Sequence, residues 1–299
     1  MLLWLVILLG AYFLFAASNI FDKVLRAKFV RNSYALIALD GIINLLIGIL
    51  LIILKPSILA SPNLWLVMAS GAIGSLAGLM YFMALSRSEV SSVVPVFNSI
   101  PIFTLVLAAV FLGEVLTLMQ LFAFIFILAG SFIISVKRIR GLLKFDRGFW
   151  LILLSSLLYA IYFIILKYGL ESSNFYTVQA LVQVGAFAGA MVILLYAVVF
   201  GKVRRSELNF KPRAIWLDGA NEAIYFAGRL IYNIALVAVP VAIATAFGGF
   251  QALFVLALSI LLSLYFSHIL EERITRGAIA VKLAALGLMF IGIVLLAYA

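Results

Sequence analysis

Apolar runs of about twenty residues, each closed by charge, proline or turn residues, recur along the whole chain. The first five are Leu2 to Ile20, Tyr34 to Leu54, Asn63 to Leu85, Val90 to Leu112 and Leu118 to Val136. A second five follow: Phe149 to Leu166, Tyr176 to Phe200, Ala214 to Val237, Val241 to Ile269 and Gly277 to Tyr298. A run of this length covers the ~30 Å hydrocarbon core of a bilayer as a helix. A barrel would need ~10-residue strands alternating apolar and polar side chains, and no such alternation is present. The pattern predicts an all-α integral membrane protein with ten transmembrane helices. The first run lacks a basic segment ahead of it, and Ala16, Ala17 and Ser18 lead into a further span, so it is read as a retained helix.

Composition leaves little room for anything else. Of 299 residues, 67% are hydrophobic and 11% charged, against about 45–50% and about 25% in soluble domains. Mean hydropathy is +1.29. Ten spans would take about 200 residues, which excludes a soluble enzyme domain. With no cysteine there is no disulfide framework and no thiolate metal site. The net charge of +10 sits in short loops, where membrane orientation accounts for it and nucleic-acid binding does not. Loops after runs one, three, five, seven and nine hold 17 of the 21 Lys and Arg, and the opposite loops hold Lys55 and Lys167. Positive-inside bias puts the basic loops in the cytoplasm and both termini outside, in a multi-pass protein of a prokaryotic cytoplasmic membrane.

The chain also repeats itself. Ala84-Leu85 and Phe103 align with Ala235-Leu236 and Phe254 at a shift of 151, Glu114 and Thr117 with Glu272 and Thr275, and Gly130 with Gly292. An odd number of spans per repeat makes the halves inverted: 1–136 and 149–299, joined by a basic loop at 137–148. Inverted repeats are a design of alternating-access carriers, with the substrate near the midplane. The stretch ALSRSEVSSVVP at 84–95, Pro101, the Gly113-Glu114-Val115-Leu116-Thr117 turn, Gln120 and Gly130 resembles the EamA-type branch of the drug/metabolite transporter superfamily. That resemblance implies ten helices in two inverted five-helix halves and the movement of small metabolites such as amino acids or nucleotide sugars. Ala123 stands where the family commonly has glycine, Ala252 replaces the counterpart of Pro101, and no glycine precedes Glu272. The family usually keeps both termini inside, opposite to the charge bias here.

Chemistry concentrates in the eighth run. Asp218, Asn221, Glu222, Tyr225, Arg229, Tyr232 and Asn233 fall within about 60° of one line on a helix, giving one polar face. Ionisable groups in a span must face the bundle interior or a wet cavity. Glu222 and Arg229 are separated by ~10 Å of rise and are poorly placed to pair directly, which leaves Asp40 or a substrate anion as partner for Arg229. Asp218 and Glu222 repel one another when both are ionised, so Glu222 is read as the proton acceptor of a coupling pair, with Lys211 and Arg213 compensating Asp218. Asp40 and Asn44 on the second run, and Gln179 and Gln183 on the seventh, are four apart on one face and could line opposite walls. Asn98 lies between Pro95 and Pro101 in a span that those prolines break. Gln251 follows Gly248-Gly249 at the matching depth of the ninth run, and Tyr81 ends a small-residue face. Those residues form the predicted substrate pathway.

No Walker-type phosphate loop, HExxH pair or GxSxG elbow occurs, and His268 has no ligand partner at metal spacing. The sequence therefore predicts a secondary active transporter for a small polar metabolite, without enzyme activity, cofactor or bound metal. An intramembrane enzyme or translocator acting on a lipid or polyprenyl phosphate is the alternative. The expected partners are the bilayer and a small-molecule substrate, and a homodimer stays open.

Overall fold

In lipid no water satisfies a free amide or carbonyl, so each apolar run closes its own hydrogen bonds as a helix. The structure, a computed structural model, describes residues 2–55, 64–86, 96–135, 147–265 and 276–298. The helices are α1 (Leu2–Lys28), α2 (Ser33–Leu54), α3 (Leu64–Leu85), α4 (Ile100–Phe111), α5 (Leu118–Ser135), α6 (Arg147–Ser172), α7 (Phe175–Val199), α8 (Pro212–Ala238), α9 (Val241–Ala246), α10 (Gly248–Tyr265) and α11 (Arg276–Tyr298). Five are long and apolar enough to cross a membrane, and four shorter apolar helices accompany them. α8 has the length, at 27 residues, but is too polar to count among them. The chain is a multi-pass integral membrane protein.

The ends have local causes. Asn32 and Asn174 cap α2 and α7 in the same way, each side-chain oxygen accepting the amide two residues on, at 2.9 Å from Tyr34 and 3.0 Å from Tyr176. Gly113 and Gly201 end α4 and α7 with φ of 67° and 62°, where a side chain would be strained. α5 opens with a reciprocal cap in which the Thr117 amide donates to Gln120 Oε1 and the Gln120 amide to Thr117 Oγ.

Two helices extend past the apolar runs that predicted them: α1 continues beyond Ile20 to Lys28, and α6 beyond Leu166 to Ser172. Hydropathy marks where the hydrocarbon ends, not where the helix does. The fourth and ninth runs are broken instead. A turn at Asn98 and Ser99 precedes α4, which carries Pro101 in its first turn, and Phe247 separates α9 from α10. Pro95, Arg140, His268, Glu272 and Ala299 lie outside the described residues.

The chain forms two compact units. Unit I comprises Phe21–Ser88 and Phe145–Ala223; unit II comprises Met1–Ile20, Glu89–Lys144 and Ile224–Ala299. Each draws helices from both predicted halves. In unit I, α3 packs against α6 and α7, and α2 against α7. Gly71 lies against the Val182 carbonyl and the Ala186 amide, and Gly185 against the Met68 backbone, so α3 and α7 meet through bare backbone. Ser75 Oγ donates to the Ala186 carbonyl at 2.8 Å across that contact, and Ser155 Oγ to the Ala77 carbonyl at 2.8 Å between α6 and α3. Because lipid is as apolar as leucine, close approach and such hydrogen bonds hold membrane helices together. In unit II, α5 and α11 meet likewise: Gly130 lies against Met289 and Ala285, and Gly292 against Ile127 and Ala123. α4 joins α9 through Thr104 and Thr245, whose hydroxyls are 2.7 Å apart. Lys167, counted above among the loop cations, lies within α6 and is buried, and its ammonium pairs with Glu171 at 3.2 Å.

A methyl at Gly185 would collide with the Met68 backbone, which cannot swing aside, whereas Gly287 has open space. Gly185→Ala should cost about 1–3 kcal/mol and lower the thermal midpoint in detergent, while Gly287→Ala leaves it near the wild-type value.

Candidate functional site

Pro212 opens α8, its missing amide donor costing nothing at a helix N-terminus. The helix then presents its polar stripe inward: Asp218, Asn221, Glu222, Arg229, Tyr232 and Asn233 are all buried. The stripe belongs to unit I as far as Ala223 and to unit II from Ile224.

In unit I the stripe meets acids from two other helices. Asp40 of α2 stands within electrostatic reach of Asp218, Glu222 and Asp22, the last from α1. Asn44 ties this group together, its Nδ2 donating to Glu222 Oε2 at 3.1 Å and to the Asp40 carbonyl at 2.7 Å. Asn221 Nδ2 donates to Asp22 Oδ1 at 2.6 Å. Arg26 lies over the Phe82 ring at 5.1 Å and interacts electrostatically with Asp22 and Tyr81. Arg26 thus acts on Asp22, whereas the groups acting on Asp40 are all acids. Lys211 and Arg213, expected to compensate Asp218, are exposed, and the groups acting on Asp218 are Asp22 and Asp40. On α7, Gln179 and Gln183 are buried, and both polar atoms of the Gln179 amide lack a hydrogen-bond partner among the described residues.

In unit II the remainder of the stripe is lined with aromatic rings. The Arg229 guanidinium lies 5.9 Å from the Tyr225 ring centroid and 5.5 Å from that of Phe226. Such cation–π contacts contribute about 0.5–2 kcal/mol. Tyr12 and Phe15 of α1 pack edge-on and tilted against Tyr232 and Tyr225, with centroids 5.8 and 5.2 Å apart. Asn233 is fully buried with no partner for its amide among the described residues. Asn98 Nδ2 donates to the Ser131 carbonyl at 3.3 Å. Gln251 is half-buried one turn beyond the break at Phe247.

The predicted residues thus gather as Asp40, Asn44, Tyr81, Gln179, Gln183, Asp218 and Glu222 in unit I, and Asn98, Tyr225, Arg229, Asn233 and Gln251 in unit II. Sequence reasoning missed Asp22, Tyr12 and Phe15. Tyr12, Phe15, Asp22 and Arg26 follow spacings of three, seven and four, so a helical reading carried past Ile20 would have found them. Among the described residues, no three His, Asp or Glu side chains are grouped to hold a metal ion.

The EamA-like transporter family matches residues 2–136. The likeness is confined to the first half of the chain. One solved crystal structure aligns over 97% of this chain and 94% of its own at 19% identity, with a TM-score of 0.70. At that identity the likeness concerns the fold. No curated protein matches the sequence.

Replacing Asn44 with leucine strips a donor from Glu222. A buried acceptor that loses its donor costs about 1–3 kcal/mol. Asn44→Leu should lower the unfolding midpoint, and adding Glu222→Leu should recover most of the loss, since removing both partners can be nearly neutral. Thermal unfolding of the single and double variants in detergent measures both.

Proposed function

We propose that this protein is a secondary active carrier for a small polar metabolite, an amino acid or nucleotide-sugar-like solute, working by alternating access between two inverted five-helix repeats, 1–136 and 149–299. One observation carries the reading: a single helix, α8, bears buried carboxylates in its first half and a buried guanidinium and orphan amide in its second. A stripe of this kind is costly to keep in hydrocarbon, and a polar substrate is the ligand that such a lining suits. The matching asparagine caps on α2 and α7 support the repeat, as do the reciprocal glycine contacts of α5 and α11 and the paired breaks before α4 and after α9.

Within this reading Arg229 binds an anionic group of the substrate, with Tyr225 holding its guanidinium flat and Asn233, Asn98, Gln251, Gln179, Gln183 and Tyr81 lining the path. Arg229→Lys keeps the charge but loses the planar two-pronged donor. Substrate affinity should fall about tenfold or more in proteoliposome uptake, while the fold survives in size-exclusion chromatography. Normal transport by the lysine variant would reduce Arg229 to a structural role.

Coupling is assigned to the acidic group. Glu222, with Asp218, takes up a proton when the cavity faces one side and releases it on the other, linking transport to a proton gradient. The measurement is substrate-driven proton flux in proteoliposomes. Glu222→Gln should retain exchange but lose gradient-driven accumulation, and if accumulation persists with its pH dependence intact, Glu222 is not the coupling site.

Orientation follows the charge count: the basic loops face the cytoplasm and both termini face out. In a chain with no native cysteine, an Arg204→Cys site should resist an impermeant thiol reagent in intact cells and react once the membrane is opened. Labelling in intact cells would reverse the topology.

A further inference from the structure

Away from the polar stripe, a recess lies within unit I, where the turn between α1 and α2 faces the connection between α7 and α8. Its volume is about 390 Å³. Lys28, Phe29 and Arg31 form one wall, and Asn209, Phe210 and Lys211 the other. The recess is held open by its own hydrogen bonds. Asn32, which caps α2 through its oxygen, uses its Nδ2 to reach across to the Lys202 carbonyl at 3.0 Å and to both Glu207 oxygens at 3.1 Å. Beneath it, Val30, Val203 and Ala214 are buried in the apolar core of unit I.

The charge of the recess is one-sided. Lys28, Arg31 and Lys211 are exposed at its rim, with Lys202, Arg204, Arg205 and Arg213 exposed on the flanking connection. Glu207 is the single acid in its lining, and it is already engaged: its carboxylate accepts the Arg204 backbone amide at 2.7 Å as well as the Asn32 amide. The Arg204 amide, then Asn32, hold its carboxyl below the usual carboxylate range, so it stays ionised and turned to the wall. Apart from Glu207, no carboxylate lines the recess among the described residues.

We propose that this recess holds the phosphate of an anionic phospholipid headgroup. Position favours a lipid over a soluble anion. The recess lies at the ends of membrane-crossing helices, and on α8 the exposed Ile215 and Trp216 follow within about 8 Å of rise from Lys211, where an acyl chain would run. Tryptophan is enriched at the level of the headgroups, which puts the rim cations at phosphate depth. Phe29 and Phe210 supply the apolar part of the recess beside the glycerol backbone. A basic pocket between helix ends is the geometry by which membrane proteins select acidic headgroups.

The test uses the full chain purified in neutral detergent, with lipid retention read by native mass spectrometry and the unfolding midpoint read in mixed micelles. Phosphatidylglycerol should be retained and should raise the midpoint, and phosphatidylcholine should do neither. Each rim cation contributes about fivefold in affinity for an acidic surface, so Lys28→Gln with Arg31→Gln and Lys211→Gln should lose phosphatidylglycerol by about a hundredfold. Lys202→Gln with Arg204→Gln and Arg205→Gln removes the same charge from the flank and should lose less than tenfold. Equal losses in the two triples, or equal retention of phosphatidylcholine, would overturn the proposal. Protection by inorganic phosphate alone to the same extent would also overturn it, since the occupant would then be a free anion. Should the rim triple not fold, Lys28→Gln and Lys211→Gln singly carry the same comparison.

Discussion

Every polar atom inside a bilayer must be satisfied by the protein itself, and this constraint orders the rest of the structure. It makes the chain helical, and it makes each departure from helix or from apolar composition conspicuous. α8 is the largest departure. Its buried Asp218, Glu222 and Arg229 are each a group that hydrocarbon would expel, so their retention within one helix demands compensation from elsewhere. In unit I that compensation is visible: Asn44 and Asn221 each aim an amide at a carboxylate, and Arg26 stands near Asp22. Asn233 and Gln179 have no such compensation among the described residues. A transport pathway needs groups of this second kind, because a fully satisfied amide has nothing to offer a substrate.

The same constraint explains the use of glycine. Apolar side chains gain nothing by leaving lipid for one another, so α3 and α7, and α5 and α11, approach until backbone meets backbone. Gly71, Gly185 and Gly189 line one seam and Gly130 and Gly292 the other.

Much of this was legible in the sequence because hydropathy is a strong signal over twenty residues. The ten apolar runs each correspond to described helix, and the polar face of α8 is buried as its periodicity required. What the sequence concealed lies where helix and hydrocarbon part company. Asp22 and Arg26 follow the first apolar run and read as loop charges, yet α1 carries them as a continuation of the face bearing Tyr12 and Phe15. The convergence of Asp22, Asp40, Asp218 and Glu222 from three helices is a tertiary fact that no single window contains. Nor does any window reveal that Lys211 and Arg213, close in sequence to Asp218, are exposed.

The break in the ninth run shows how an irregularity at membrane depth is sustained. Interrupting a helix there exposes backbone groups that cost several kcal/mol each if left bare. Around α9 they are met one by one. Glu114 Oε2 accepts the Val241 amide at 2.8 Å at the start of α9, and the Tyr12 hydroxyl donates to the Ala244 carbonyl at 2.8 Å near its end. Thr245 returns its hydroxyl to the Val241 and Ala242 carbonyls while sharing a hydrogen bond with Thr104 on α4. Glu114 therefore serves the start of a distant helix, a role its place in the α4–α5 turn did not suggest. Three separate elements of unit II, α1, α4 and the turn after it, thus contribute a polar group to six residues of α9. An accidental kink would not recruit them, so the break is a specified feature of the fold. Because Tyr12 also packs edge-on against Tyr232 of the polar helix, a shift of α9 at the break would be felt at that ring, next to Asn233 in sequence on α8.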